Sequence, residues 1–280
     1  DNLLPQLKKE QVFRYDQAAH GVRLMVWGFF KKCVCAAYLS RLADAVYNDV
    51  SYASGGAAAL ATAAFALQIY CDFGGYSDIA RGCSEMMGVE LMVNFKAPYF
   101  ALSMRDFWKR WHISLTSWFR EYVYFPLGGS RRGFARTLRN TLIVFALSGL
   151  WHGASWTFVA WGLLHALYLC AELIWNRLRR SAPKAPGPCR KALLLLKTFV
   201  LACIAWTFFR ADTMADALAI LGAAFAGLRH PLTWMQDAWH LLTAGGALTA
   251  AITVFSVLVL LLGDLLDEKN DAMAAVGRLR

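Results

Sequence analysis

Residues 140–171 read NTLIVFALSGLWHGASWTFVAWGLLHALYLCA, 32 positions without an Asp, Glu, Lys or Arg. As a single helix the run would be about 48 Å long, and a hydrocarbon core is only about 30 Å thick. It is too long for one span, and it contains an interruption. Ser148, Gly149, His152, Gly153 and Ser155 fall close together, and that composition suits a helix break better than a helix centre. The run therefore divides into a short piece before Gly149 and a full span over 154–175. Arg132, Arg136 and Arg139 precede the short piece. With those arginines at an interface, nine residues of helix reach about 14 Å inward, and His152 comes near mid-depth. Broken backbone at that depth needs protein or a cavity around it. The expected fold is all-α, a polytopic transmembrane helical bundle with interfacial and re-entrant helices.

The neighbouring segments extend the pattern. Residues 50–71 are 22 positions without a charge and residues 241–263 are 23. Each is long enough to cross. Residues 192–209 cross with the single charge of Lys197. Residues 24–40 carry Lys31 and Lys32 at their centre, so that segment is expected to be re-entrant or to face the bundle interior. Residues 177–191 hold Arg177, Arg179, Arg180, Lys184, Arg190 and Lys191, no acid, and three prolines. They read as a cytoplasmic loop by the excess of positive charge. Residues 210–240 balance basic and acidic groups and fit the outer side, with a short amphipathic helix over 214–228. Residues 103–129 place Trp108, Trp111, Leu115, Trp118, Phe119 and Tyr122 at helical spacing, with Lys109, His112, Thr116 and Arg120 on another face. They read as one amphipathic helix, lying in the interface or packed against the bundle, and ended by the residues from Phe125 to Gly129. A single membrane domain is expected over 1–264 and a cytoplasmic tail over 265–280. The chain opens at Asp1 with a polar, basic stretch and no signal peptide, which reads as a fragment starting in a loop.

Composition agrees. The chain is 58% hydrophobic and 17% charged, where soluble domains run near 45–50% and 25%. Mean hydropathy is +0.39. The net charge of +10 could serve nucleic acid or a membrane surface. Its basic residues sit beside apolar runs, so membrane lipid is the expected partner and nucleic acid is not. The seven cysteines include no CxxC pair and most lie in apolar stretches, so neither a disulfide framework nor a zinc site is expected.

Several residues could carry chemistry. His152 leads, because an ionisable residue at membrane depth in a broken helix points to function. A neutral imidazole can take a proton from a hydroxyl near neutral pH. A hydrogen bond bridging two helices is the alternative. His112 is next, on the polar face beside Lys109 and Arg110, where contact with lipid headgroups competes. For His165 a helix–helix hydrogen bond is the plainer role. Asp72 and Asp78 bracket Phe73-Gly74-Gly75-Tyr76-Ser77 at the end of a span. They could bind a cation or position a substrate, or simply form a helix terminus with Asp78 pairing Arg81 at i, i+3. Arg131, Arg132, Arg136 and Arg139 could attract a phosphorylated donor, or only anchor the chain. No GxSxG, GxxxxGK[ST], GxGxxG or HExxH pattern occurs, which excludes the chemistries those motifs serve.

The motifs then combine. Residues 72–80 (DFGGYSDIA), 94–99 (NFKAPY), 107–115 (FWKRWHISL), 124–129 (YFPLGG) and 149–153 (GLWHG) occur in this order. Together they resemble the membrane-bound O-acyltransferase family, most of all its bacterial alginate O-acetylase branch. Residues 206–211 (WTFFRA) resemble the same branch, so the likeness runs over about 4–263. It implies that His152 is the catalytic histidine and His112 its second prominent one. Asp72, Asp78, Trp111, Trp151 and His165 are expected to contact substrate. The resemblance also implies a funnel or tunnel through the membrane, a donor arriving from the cytoplasm, and an acceptor served on the outer side. The expected reaction is acetyl transfer from acetyl-CoA, with no bound cofactor or metal, to an alginate-like exopolysaccharide. A periplasmic acetyltransferase partner protein completes the transfer, and the membrane is the bacterial inner membrane. Transfer of D-alanyl or acetyl groups to teichoic acid or peptidoglycan is the alternative within the family. A transporter or scaffold is the alternative outside it. Family members carry further membrane helices before residues 3–7, so this chain corresponds to their C-terminal portion.

Overall fold

The computed structural model describes residues 3–179 and 186–277, with side chains as far as residue 269. Every regular element among the described residues is helical. Among the described residues, four helices are long and apolar enough to cross a membrane. The opening stretch contains a one-turn helix, α1 (Leu3–Leu7), and is not all loop. Next comes α2 (Tyr15–Phe29), which continues through a wider π-helical turn (Phe30–Ala36) into α3 (Ala37–Tyr47). The segment with the two central lysines is thus an unbroken helix, not a re-entrant loop.

The lysines are tolerated because of what they face. The centre of the bundle is α4 (Gly55–Met86), packed against α2 and α3 on one side. Lys31 is 6% exposed. Its Nζ donates to Asp78 Oδ2 at 2.8 Å and lies over the rings of Trp27 and Tyr70. Lys32 pairs with Asp72. Partnering is what makes such charges bearable away from water.

The helix α4 also corrects the expected span. It does not end near Cys71 but runs through Gly74-Gly75 for 32 residues. These glycines are contact residues, not helix breakers. A Cβ on Gly75 would stand 2.6 Å from the Gly28 carbonyl oxygen, and one on Gly28 would stand 2.6 Å from that of Gly75. Gly21 and Gly82 repeat the arrangement two turns away. Small residues let two backbones approach closely where lipid gives no hydrophobic drive. That approach brings Lys31 and Lys32 within reach of α4.

Two short helices follow, α5 (Met104–Arg110) and α6 (Ile113–Phe119), then a π-helical turn over Arg120–Tyr124. The single amphipathic helix expected over 103–129 is therefore broken in its middle. The next pair forms a hairpin, α7 (Phe134–His152) and α8 (Trp156–Leu178). Here α7 passes through Gly149 and stops only at His152, so the break falls at Gly153-Ala154-Ser155. Gly149 is again a contact residue, since a Cβ there would meet the Phe158 and Val159 backbone. Ser155 caps α8 by accepting from the Thr157 N–H. His152 lies about 20 Å along the axis from Arg139.

The carboxylate of Glu172 in α8 accepts the Met104 and Arg105 backbone N–H groups at 2.8 and 3.0 Å. This anion at the start of α5 fixes the short helix to α8. The Arg177 guanidinium lies over the Phe134 ring, so α7 begins at the end where α8 finishes. Pro188 opens α9 (Pro188–Arg210), a position proline favours. Arg177, Arg190 and Lys191 are thus helical, not loop residues. The loop reading at Arg180, Pro183 and Lys184 lies outside the described residues.

The amphipathic helix expected at 214–228 is α10 (Met214–Ala226), and a helix not foreseen, α11 (Pro231–Thr243), follows it. The last span, α12, is Ala247–Gly277. It starts six residues later than the charge-free run and continues past Gly263. The tail is therefore helical over the described residues and not separate from the bundle. Buried Asp264 accepts a hydrogen bond from Tyr70 at 2.8 Å, and Glu268 holds Arg110 at 2.5 and 3.1 Å.

Candidate active site

The break between α5 and α6 places His112. Its backbone is left-handed, with φ +42°, a conformation unusual for a residue with a side chain. Asn94 holds it there. The Asn94 carbonyl accepts the Ile113 N–H at 3.0 Å, and its Oδ1 accepts the Ser114 N–H at 3.1 Å. The Lys96 N–H donates to the Arg110 carbonyl at 3.0 Å. The segment 94–96 is thereby bonded on both sides of the kink.

On one regular helix His112 would sit at the edge of the aromatic face, one turn beyond Trp108. In the broken chain His112, Trp108, Trp111 and Leu115 line one cavity of about 310 Å³, together with Ile69, Phe73, Ser148, Trp151, His152, Trp161, Trp206 and Phe209. The expected separation of polar and apolar faces does not hold at His112.

His152 enters the same cavity from the end of α7. Trp151, Trp161 and Phe209 surround its ring at 4.9, 5.0 and 5.1 Å between centroids, all edge-on. His112 has Phe73 at 4.7 Å and Phe95 at 6.3 Å. Neither imidazole has a hydrogen-bond partner among the described residues, so the helix–helix bridge weighed for His152 is not formed. Two ring nitrogens on each histidine are free to meet a substrate. Gly153 follows because a Cβ there would stand 2.6 Å from the Phe158 ring.

Trp111 and Trp151 both line the cavity, the first buried and the second 59% exposed. His165 does not line it. It is fully buried behind Trp108 and Trp161, and its Nδ1 accepts the Trp108 indole N–H at 3.3 Å. Because indole only donates, the proton of neutral His165 sits on Nε2. The contact steadies Trp108 in the cavity wall and matches the helix–helix hydrogen bond weighed above. Asp72 is also outside the cavity, paired with Lys32 and half exposed. Asp78 belongs to a second, polar cavity of about 610 Å³ that also takes in Lys31, Arg81, Lys96, Arg110, Asp264 and Glu268. Asp78 does approach Arg81, at 3.6 Å, although no helix ends there. Asn94, Arg110 and Ser148 were not assigned roles from sequence. Asn94 and Arg110 do sit in the motif blocks quoted above, which was the available signal.

His112 and His152 thus face one aromatic cavity in a helical membrane bundle, neither with a hydrogen-bond partner among the described residues. Comparison with known proteins gives the family. The model of the membrane-bound O-acyltransferase family, MBOAT, matches residues 4–222, and the chain belongs to that family. It is 38% identical over 221 residues to the peptidoglycan O-acetyltransferase of Helicobacter pylori, covering 78% of this chain and 41% of that protein. It is 39% identical over 214 residues to the probable alginate O-acetylase AlgI of Pseudomonas fluorescens, covering 75% and 41%. The teichoic acid D-alanyltransferase of Bacillus subtilis is more distant, 29% identical over 155 residues, covering 52% and 39%. The chain thus spans about two fifths of the length of the curated relatives it matches. With its apolar helices, the family makes this a multi-pass membrane protein. Helices α11 and α12 lie beyond the family match.

Proposed function

We propose that this chain forms the histidine chamber of an O-acyltransferase in the bacterial inner membrane. The enzyme moves an acetyl group from acetyl-CoA towards a hydroxyl of an alginate-like exopolysaccharide, with a periplasmic acetyltransferase partner completing the transfer. One observation carries the reading: His112 and His152 face one apolar cavity with no hydrogen-bond partner among the described residues. His152 takes the proton of the acceptor hydroxyl as general base. The oxygen attacks the thioester carbonyl, the new C–O bond forms and the C–S bond breaks. The proton returns to the departing thiolate, so thioester and alcohol become ester and thiol. His112, in the same cavity, donates to the carbonyl oxygen or steadies the sulfur. Trp111 and Trp151 wall the reacting groups, and His165 positions Trp108. No residue in this scheme requires a metal or a resident cofactor.

Orientation supports the donor side. If residues 177–191 are cytoplasmic, the end of α4 carrying Asp78 and Arg81 is cytoplasmic too, because its other end packs by Gly55 against Gly227. The polar cavity then faces the soluble donor, with Asp78 as part of its wall and Asp72 as a partner for Lys32.

The acceptor is the open choice, since the peptidoglycan and alginate relatives are equally similar at 38% and 39%. Membranes holding the full protein, supplied with radiolabelled acetyl-CoA, are expected to label the exopolysaccharide. Label in peptidoglycan would move the acceptor. Label only from a D-alanyl carrier would move the donor. No label from any donor, with the protein present, would overturn acyl transfer and return the transporter or scaffold reading.

A further inference from the structure

The two cavities meet across two rings, Phe95 and Tyr70, both of which stand against Trp111. Phe95 lines the polar cavity, while Phe73, Trp111 and His112 line the apolar one. The Phe95 ring lies 5.0 Å from Trp111, 5.1 Å from Phe73 and 6.3 Å from His112. A single aromatic layer therefore separates the charged space from the histidines. Tyr70, the neighbouring ring on the polar side, is locked: it is 2% exposed, its hydroxyl donates to Asp264, and Lys31 lies over its face. Phe95 has no polar anchor. Its backbone is fixed by the bonds of Asn94 and Lys96 to the kink, so any passage between the cavities has to come from its side chain.

We propose that Phe95 is the gate between the two cavities and that its bulk sets the longest acyl group the protein transfers. The proposal rests on the acyl-transfer reading. The charged part of a thioester donor stays in the polar cavity beside Lys96 and Arg110, and only the acyl group and sulfur pass the ring. The histidine cavity, at about 310 Å³, offers far more room than the two carbons of an acetyl group need. Chain length is therefore selected at the septum and not in the chamber.

The test uses the full protein in membranes, with acetyl-CoA and hexanoyl-CoA as donors and the acceptor polymer present. The readout is the ratio of kcat/KM for hexanoyl to that for acetyl. Phe95→Ala is expected to raise the ratio about tenfold or more, the discrimination an apolar pocket commonly achieves for added methylenes. Phe95→Leu raises it less, and Phe95→Trp slows acetyl transfer. An unchanged ratio in Phe95→Ala and Phe95→Leu, with acetyl transfer retained, would overturn the gate. If Phe95→Ala fails to accumulate, Phe95→Leu decides. Wild-type protein that transfers from neither donor would overturn the acyl-transfer reading itself, and the gate with it.

Discussion

Replacing His152 by alanine is expected to lower acyl transfer by about 100- to 10,000-fold, the range a positioned general base contributes. The protein should still insert and accumulate. The reason lies in what His152 touches. Among the described residues its ring stacks edge-on or tilted against Trp151, Trp161, Phe209 and Phe158, and it makes no hydrogen bond there to lose. Truncation leaves a little space beside an existing cavity and orphans no buried polar group, the usual source of large destabilisation. His152→Gln, which keeps a polar side chain but cannot act as base, should lose as much. Initial rates with labelled donor, normalised to the amount of protein in the membrane, check this. Activity within a few-fold of wild type in either variant would sink the role of His152.

The second large effect is on folding and starts from glycine. Gly75→Ala and Gly28→Ala each push a methyl to within about 2.6 Å of a backbone carbonyl on the facing helix. Backbone cannot step aside as a side chain would, so α2 and α4 must separate. Overpacking of this kind costs about 1–3 kcal/mol and sometimes more. It also loosens the Lys31–Asp78 and Lys32–Asp72 pairs that depend on the close approach, and a buried charge that loses its partner is heavily penalised. Gly222→Ala is the control. Gly222 lies inside α10 with nothing within 4 Å of a Cβ, so alanine should be neutral or stabilising by up to about 1 kcal/mol. Thermal unfolding in detergent should show opposite signs for the same chemical change. Equal melting temperatures for Gly75→Ala and wild type would contradict the glycine contact.

These glycines also show where the sequence could be read and where it could not. Charge-free runs located the spans because expelling charge from hydrocarbon is a one-dimensional property. The mid-run histidine stood out for the same reason. Propensity, however, treats glycine as a breaker, and it cannot see a facing helix. Gly74-Gly75 and Gly149 were therefore read as ends, although the helix continues through each of them. Lys31 and Lys32 pointed to the bundle interior, which is where Lys31 lies, but their partners 40 and 47 residues away in sequence could not be inferred. The kink at His112 was hidden by good helical spacing from Trp108 to Tyr122, because its cause is Asn94 in another segment. The residues alone put His152 first and His112 next, and the family resemblance implied a catalytic role for them. That they share one cavity came only from the structure.

The central claim is that His112 and His152 act on one reacting group in one chamber. A double-mutant cycle tests it most directly, with acetyl-transfer rates of wild type, His112→Ala, His152→Ala and the double variant measured at equal protein. Residues that serve one step as a unit lose activity together and not multiplicatively. The double variant is therefore predicted to be no slower than the worse single one, within about threefold. Losses that multiply, or a His152→Ala variant that keeps near-normal rates, would contradict a common chamber and leave two histidines in one cavity without a joint task.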